Sequence, residues 1–261
     1  MDAVRIALRR GEPMLWGVAG LGLLVAGWAA VAAAGVVPAS GLPGPVAVGR
    51  AFASLLGDAD FVREYLDTLA TWAVSLGLAV VISIPLGLLI GYLGPLARAS
   101  SLVIDIGRAM PVVTLIPAAI VLIGLGPQMK ISVVTFSVFW ILLVNTIYGV
   151  RSVEPLALRV AQALKFGRVE TMRRVLLPTT LPYVVTGIRI ATGIAFVVTL
   201  SAELLGATTG VGTVLVSYQE AQRADAVYAG VLAVSITGMV LNIAAQLTER
   251  RVIRWRPSGQ E

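Results

Sequence analysis

Long apolar stretches almost free of charge alternate along this chain with short segments that hold most of its charged residues. Residues 14–37 carry no charge, and neither do residues 68–97. Residues 110–125, 131–150, 181–205 and 225–248 are four further apolar runs, in which only Arg189, Glu203 and Asp225 are charged. A helix crosses the apolar core of a bilayer with about 20 residues, so the pattern predicts about six transmembrane helices. Between the first two, residues 38–45 hold three prolines and two glycines and read as a loop. Residues 46–66 mix Phe52, Leu55 and Phe61 with Arg50, Asp58, Arg63 and Glu64. Both a short amphipathic surface helix and a solvated linker fit that mixture.

The remaining punctuation is finer. Residues 98–108 read as a polar break, 124–130 as a tight turn, and 206–224 as a Gly/Thr-rich loop with a short apolar piece at 211–216. Pro111 and Pro117 interrupt the third helix. A kink is the simpler reading, while a helix broken at membrane depth can also line a cavity. Gly87 and Gly91 are spaced so that another helix can approach closely. Arg5, Arg9 and Arg10 before the first apolar run also fit a signal peptide, but the run is longer than a usual signal core and reads as a membrane helix. Arg189 is placed to snorkel to the near interface. Glu203 lies near the opposite end of its helix, close enough to the edge to reach water.

One long segment breaks the pattern. Residues 154–178, EPLALRVAQALKFGRVETMRRVLLP, are polar and helical in periodicity. Ala157, Val160, Ala161 and Leu164 recur at i, i+3, i+4 and i+7, one face of a helix. Val169, Met172, Leu176 and Leu177 continue an apolar side, with Arg168, Arg173 and Arg174 on a basic one. Pro178 closes the segment, because the residue before a proline is pushed out of the helical region. Two short helices with an apolar ridge suit insertion into a groove on a partner. A basic amphipathic segment lying on anionic lipid fits as well.

Composition agrees with a membrane protein: 57% of residues are hydrophobic and 13% charged, against about 25% charged in soluble domains. The ten-residue alternation of a β-barrel is absent. The net charge of +6 does not point to nucleic acid, because it follows the membrane sides. With the N-terminus inside and six spans, fourteen Lys and Arg fall on inner segments and four on outer ones, Lys130 among the latter. That bias places both termini and the 154–178 segment in the cytoplasm. With no Cys and no His, thiol chemistry, His-ligated metals and His acid/base catalysis are excluded. There is no GxxxxGK[ST] phosphate loop and no HExxH, and no pair of carboxylates shares a helix inside the membrane, as an intramembrane proton relay requires. No cofactor is expected, and the energy for any transport is expected from a separate chain. An ATP-independent carrier or channel is the alternative, and a membrane scaffold a third.

The end of the segment, Arg173-Arg174-Val175-Leu176-Leu177-Pro178, followed by Leu181-Pro182-Tyr183 and Thr186-Gly187-Ile188-Arg189, resembles the permease subunits of bacterial binding-protein-dependent ABC importers of the nitrate/sulfonate/taurine type. That family carries a cytoplasmic loop with Glu-Ala-Ala, a Gly four residues after the second Ala, and a hydrophobic-x-Leu-Pro ending. Counting back from Pro178 puts Arg159-Val160-Ala161 at the Glu-Ala-Ala positions and Lys165 at the Gly position, both departures. Gly167 lies two residues late. Ser75-Leu76-Gly77, Pro85-Leu86-Gly87, Asn145-Thr146, Gly210-Val211-Gly212 and Glu249-Arg250-Arg251 extend the resemblance over roughly residues 68–256.

The resemblance implies an all-α polytopic membrane protein of the type I ABC importer permease fold. Residues 1–64 would hold the N-terminal cytoplasmic tail, first membrane helix and outer linker, residues 65–248 the transmembrane core with its coupling loop at 151–180, and residues 249–261 a basic cytoplasmic tail. It implies a bacterial cytoplasmic (inner) membrane location and assembly with two ATP-binding subunits, a second permease (itself or a paralogue) and an external solute-binding protein, with lipid around the spans. The implied ATPase contact is Arg159, Val160, Ala161, Leu164, Lys165, Phe166, Gly167 and Arg168.

Overall fold

The computed structural model describes the backbone of residues 2–38 and 40–253, with side chains from residue 16 onward. Arg254 and Arg256, expected in the basic tail, and the side chains of Arg5, Arg9 and Arg10 lie outside the described residues. Among the described residues all regular structure is helical. The chain divides into two compact units: residues up to Val62 with Leu215–Ala233, and Arg63–Val214 with Val234 onward.

Helix α1 (Asp2–Ala33) and α2 (Pro45–Leu56) lie in the first unit. Proline at the start of α2 suits a position whose N–H has no helical partner, and Val48, Ala51 and Leu55 are its buried side. The 46–66 stretch is therefore helical at both ends rather than a linker, because α3 (Ala59–Tyr92) begins nine residues before the apolar run does. The Trp28 indole N–H donates to the Pro43 carbonyl at 3.1 Å, and its ring stacks on Tyr228.

In the second unit the core is an antiparallel pair, α6 (Pro127–Arg151) and α9 (Leu177–Gly206), with α3 and α5 (Ile116–Ile123) against it. Lipid tails are as apolar as leucine, so such helices associate through close packing rather than through expulsion of water. Small residues make the approach possible: Ala191, Ala195 and Ala202 of α9 are fully buried against Val134, Val138 and Leu142 of α6. The expected close approach at Gly87 and Gly91 is present. A Cβ on either would lie 2.7 Å from Thr146 or Val150 of α6. Thr146, Thr192 and Thr199 return their hydroxyl hydrogens to carbonyls four residues back, which satisfies them without water.

Three expectations change. Residues 98–108 are not a break but part of an amphipathic helix, α4 (Gly94–Ala109). The third span is not a kinked 110–125 helix. A 3-10 turn, Val112–Leu115, separates α4 from the eight-residue α5, and the two parts bend by 85°. Eight residues rise only about 12 Å, too little to cross a bilayer alone. Among the described residues five helices are long and apolar enough to span, or six if the bent pair is one span. The 206–224 loop contains a ten-residue helix, α10 (Val211–Glu220), ahead of α11 (Ala224–Val252). On α11, Glu249 is buried, pairs with Arg189 at 3.1 Å and accepts from Thr186. Arg189 thus reaches the end of a neighbouring helix, where the expected cytoplasmic tail begins.

Candidate functional site

The segment between α6 and α9 opens with α7 (Pro155–Ala163), again with proline in its first turn. Its end is a Schellman closure. The Phe166 N–H donates to the Ala161 carbonyl and the Lys165 N–H to that of Gln162, each at 2.9 Å. This motif needs a left-handed residue just past the helix, and Lys165 takes it with φ 57°. Counting back from Pro178 sets this residue against the glycine of the importer loop that the segment resembles. Gly167, with φ −68°, caps the start of α8 (Arg168–Thr171) and supplies no special turn.

Beyond Gly167 the chain does not form a second short helix closed by Pro178. Helix continues from Arg168 to Gly206, 39 residues, through a π-helical turn at Met172–Leu176. Leu177, before the proline, stays helical at φ −58°, ψ −49°. In a regular α-helix the Pro178 ring would meet the carbonyl four residues back. The wider turn gives it room, as π-bulges do.

The four residues read as one apolar face divide. Ala161 is 2% exposed, and Ala157 packs beside Val150, Val153 and Leu176. Val160 and Leu164 turn outward at 52% and 62% exposure, with Leu156 at 65% and Val169 at 80%. An open groove of about 460 Å³ is bordered by Leu156, Val160, Ala161, Leu164, Phe166 and Arg174. Arg174 lies over the Phe166 ring at 5.3 Å and pairs with Glu170 at 3.2 Å. Arg159, Lys165, Arg168 and Arg173 are exposed and make no ion pair among the described residues. The arrangement is an apolar ridge in a basic frame, carried at the end of a long helix.

At the other end of α6 and α9 lies a cluster that the sequence reading placed in water. Lys130 is fully buried, and Glu203 is 1% exposed. The Lys130 ammonium donates to Asp67 Oδ2 at 2.6 Å, to the Thr209 carbonyl at 3.0 Å and to Glu203 Oε1 at 3.3 Å. Glu203 Oε2 accepts from the Thr68 hydroxyl at 3.0 Å and from the Gly212 N–H at 3.1 Å. Glu64 accepts from the Gly210 N–H at 2.6 Å. A buried charge is tolerated only when paired and fully hydrogen-bonded, and here side chains of α3, α6 and α9 satisfy one another. Gly210 sits at φ 108°, and a Cβ there would fall 2.0 Å from Glu203 Oε1. The glycines of this loop thus let backbone amides reach a carboxylate.

Each charge stands alone in sequence, at the edge of its apolar run. What could have joined them is the span count, which puts residues 67, 130, 203 and 209 at one end of the bundle.

Comparison with known proteins completes the description. Residues 83–254 match the model of the family described as binding-protein-dependent transport system inner membrane component. The chain is 28% identical over 240 residues to the putative aliphatic sulfonates transport permease protein SsuC of Bacillus subtilis (strain 168), covering 90% of this chain and 86% of that one. It is 28% identical to the taurine transport system permease protein TauC of Escherichia coli (strain K12), covering 92% and 89%. Among solved structures it is similar in fold to a chain of the bacterial alginate ABC transporter in complex with alginate pentasaccharide-bound periplasmic protein. There the TM-score is 0.62 at 17% identity, over 77% of this chain and 82% of that one.

Proposed function

This chain belongs to the family of binding-protein-dependent transport system inner membrane components, and we propose that its 151–180 loop is the element through which ATP-binding subunits drive it. It is a permease subunit of an ABC importer of the nitrate/sulfonate/taurine type, a transport component with the type I importer permease fold. In the proposed assembly two ATP-binding subunits sit on the cytoplasmic side, where both termini also lie. A second permease, itself or a paralogue, completes the translocation path, and an external solute-binding protein delivers the solute opposite the loop. ATP is hydrolysed on the separate subunits. The contact is centred on Arg159, Val160, Leu164, Lys165, Phe166, Gly167 and Arg168, with Ala161 beneath them holding α7 to the bundle.

The observation that carries the reading is the exposure of Leu156, Val160 and Leu164 on a segment too charged to lie in lipid. Apolar side chains framed by basic ones mark a surface that docks into a partner's groove. The 168–206 helix then joins that surface directly to the membrane core. The test is co-purification from native membrane with mass spectrometry, on wild type and on Val160→Glu with Leu164→Glu. Both residues are exposed, so the double variant is expected to fold and insert. An ATP-binding subunit retained by wild type and lost from the variant supports docking. Its absence from both samples sinks the proposal and favours the lipid-surface reading of the segment.

A further inference from the structure

A cavity of about 200 Å³ lies between α4 and the loop end of α6, and shares no lining residue with the groove beside α7. Its polar wall is Ser101, Asp105 and Arg108 of α4 with Tyr148 and Arg151 of α6. Its floor is apolar, formed by Ile90, Ile104 and Ile147. The cavity is held open by packing. Ala97 is buried near one end of α4, and at the other end Gly107 lies so close to Trp140 that a Cβ would fall 2.3 Å from the ring. Arg108 pairs with Asp105 at 3.2 Å, a contact that leaves guanidinium donors unused. Arg151 makes no ion pair among the described residues.

The two arginines and one carboxylate leave a net charge of +1 on this wall. Helix α4 carries Arg98, Asp105 and Arg108 together with exposed Leu102, Val103 and Ile106, so that apolar side chains for lipid tails stand beside charged ones. We propose that this cavity binds the phosphodiester headgroup of an anionic phospholipid, with Arg108 and Arg151 on the phosphate, Ser101 and Tyr148 as hydroxyl partners, and acyl chains leaving over the isoleucine floor. The apolar floor is what selects a lipid over a free anion. Basic pockets between helices on the cytoplasmic side bind such headgroups. The inference rests on the proposed sidedness of the loop end, not on ATPase docking.

The experiment uses the importer purified from native membrane into nanodiscs of phosphatidylcholine with or without phosphatidylglycerol, read by native mass spectrometry. Wild type is expected to retain phosphatidylglycerol through delipidation. Arg108→Gln and Arg151→Gln each weaken retention about fivefold, and the pair about thirtyfold. Arg98→Gln, on the same helix but outside the cavity, leaves it unchanged. Retention equal in wild type and the double variant overturns the proposal. So does displacement of the lipid by inorganic phosphate with the same arginine dependence, which would make the ligand a free anion. The ATP-binding subunits are counted in the same spectra, so failure of lipid binding and failure of docking are read separately.

Discussion

At one end of the 168–206 helix, Arg159, Lys165, Arg168 and Arg173 stand exposed and make no ion pair among the described residues. At the other end Lys130 and Glu203 are buried, and every charged atom has a partner. The same residue types do opposite work. Exposed basic side chains cost little where they are, add little to stability, and remain available to another molecule. The buried cluster is committed to the fold, because removing one member leaves an uncompensated charge. Stability and partner binding should therefore separate cleanly between the two ends.

The sharpest way to break that comparison is Lys130→Met. Glu203 would then be buried without its cation, and a loss of about 3–5 kcal/mol is expected, read as a lowered unfolding midpoint of the detergent-purified protein. Adding Glu203→Gln to Lys130→Met should recover part of the loss, and no recovery would mean that the two are not coupled. Gly210→Ala comes next. Its Cβ would collide with the Glu203 carboxylate at a backbone angle that L-residues rarely adopt, and a loss of about 1–3 kcal/mol is expected. Val160→Glu with Leu164→Glu should move the midpoint by no more than about 0.5 kcal/mol while abolishing retention of the ATP-binding subunit. A large stability loss from that pair would show the ridge to be core.

Much of the fold was legible because lipid imposes a simple rule. Runs of about 20 apolar residues marked the spans correctly at α3, α6, α9 and α11, to within a turn or so at most ends. The rule failed where helices continue through polar sequence. Helix α4 holds Arg98, Asp105 and Arg108, and the start of α3 holds Arg63, Glu64 and Asp67. Charge was read as a break at 98–108 and left a linker as open as a helix at 46–66, whereas it marks the side of a helix facing water or an ion partner. Pro178 misled for a related reason, since local sequence does not reveal the π-helical turn that accommodates it. The buried cluster was illegible because its charged members are far apart in sequence, Asp67 from Lys130 by 63 residues and Lys130 from Glu203 by 73. In the 154–178 segment the helical period located α7, but the direction of its apolar face depends on where α6 and α9 lie.

Lys165 is the place where sequence, geometry and proposed function meet. Counting from Pro178 assigned it to the family's glycine position, and the structure gives it φ 57°, the conformation glycine favours. Replacing it by glycine relieves the left-handed strain against the greater freedom of glycine in the unfolded chain. A net gain of roughly 0.5–1 kcal/mol is expected, visible as slower hydrogen exchange at the Lys165 and Phe166 amides that close α7. The same change removes a charge from the proposed contact, so Lys165→Asn is the companion, since asparagine also tolerates this conformation. If the ATP-binding subunit is held through the lysine charge, both variants lose affinity together. If it is held by the Val160 and Leu164 ridge, both keep it, and glycine, with the better-closed turn, keeps it best. An exchange rate at Phe166 that does not change in Lys165→Gly would mean that the turn carries no strain and that the departure from glycine costs nothing.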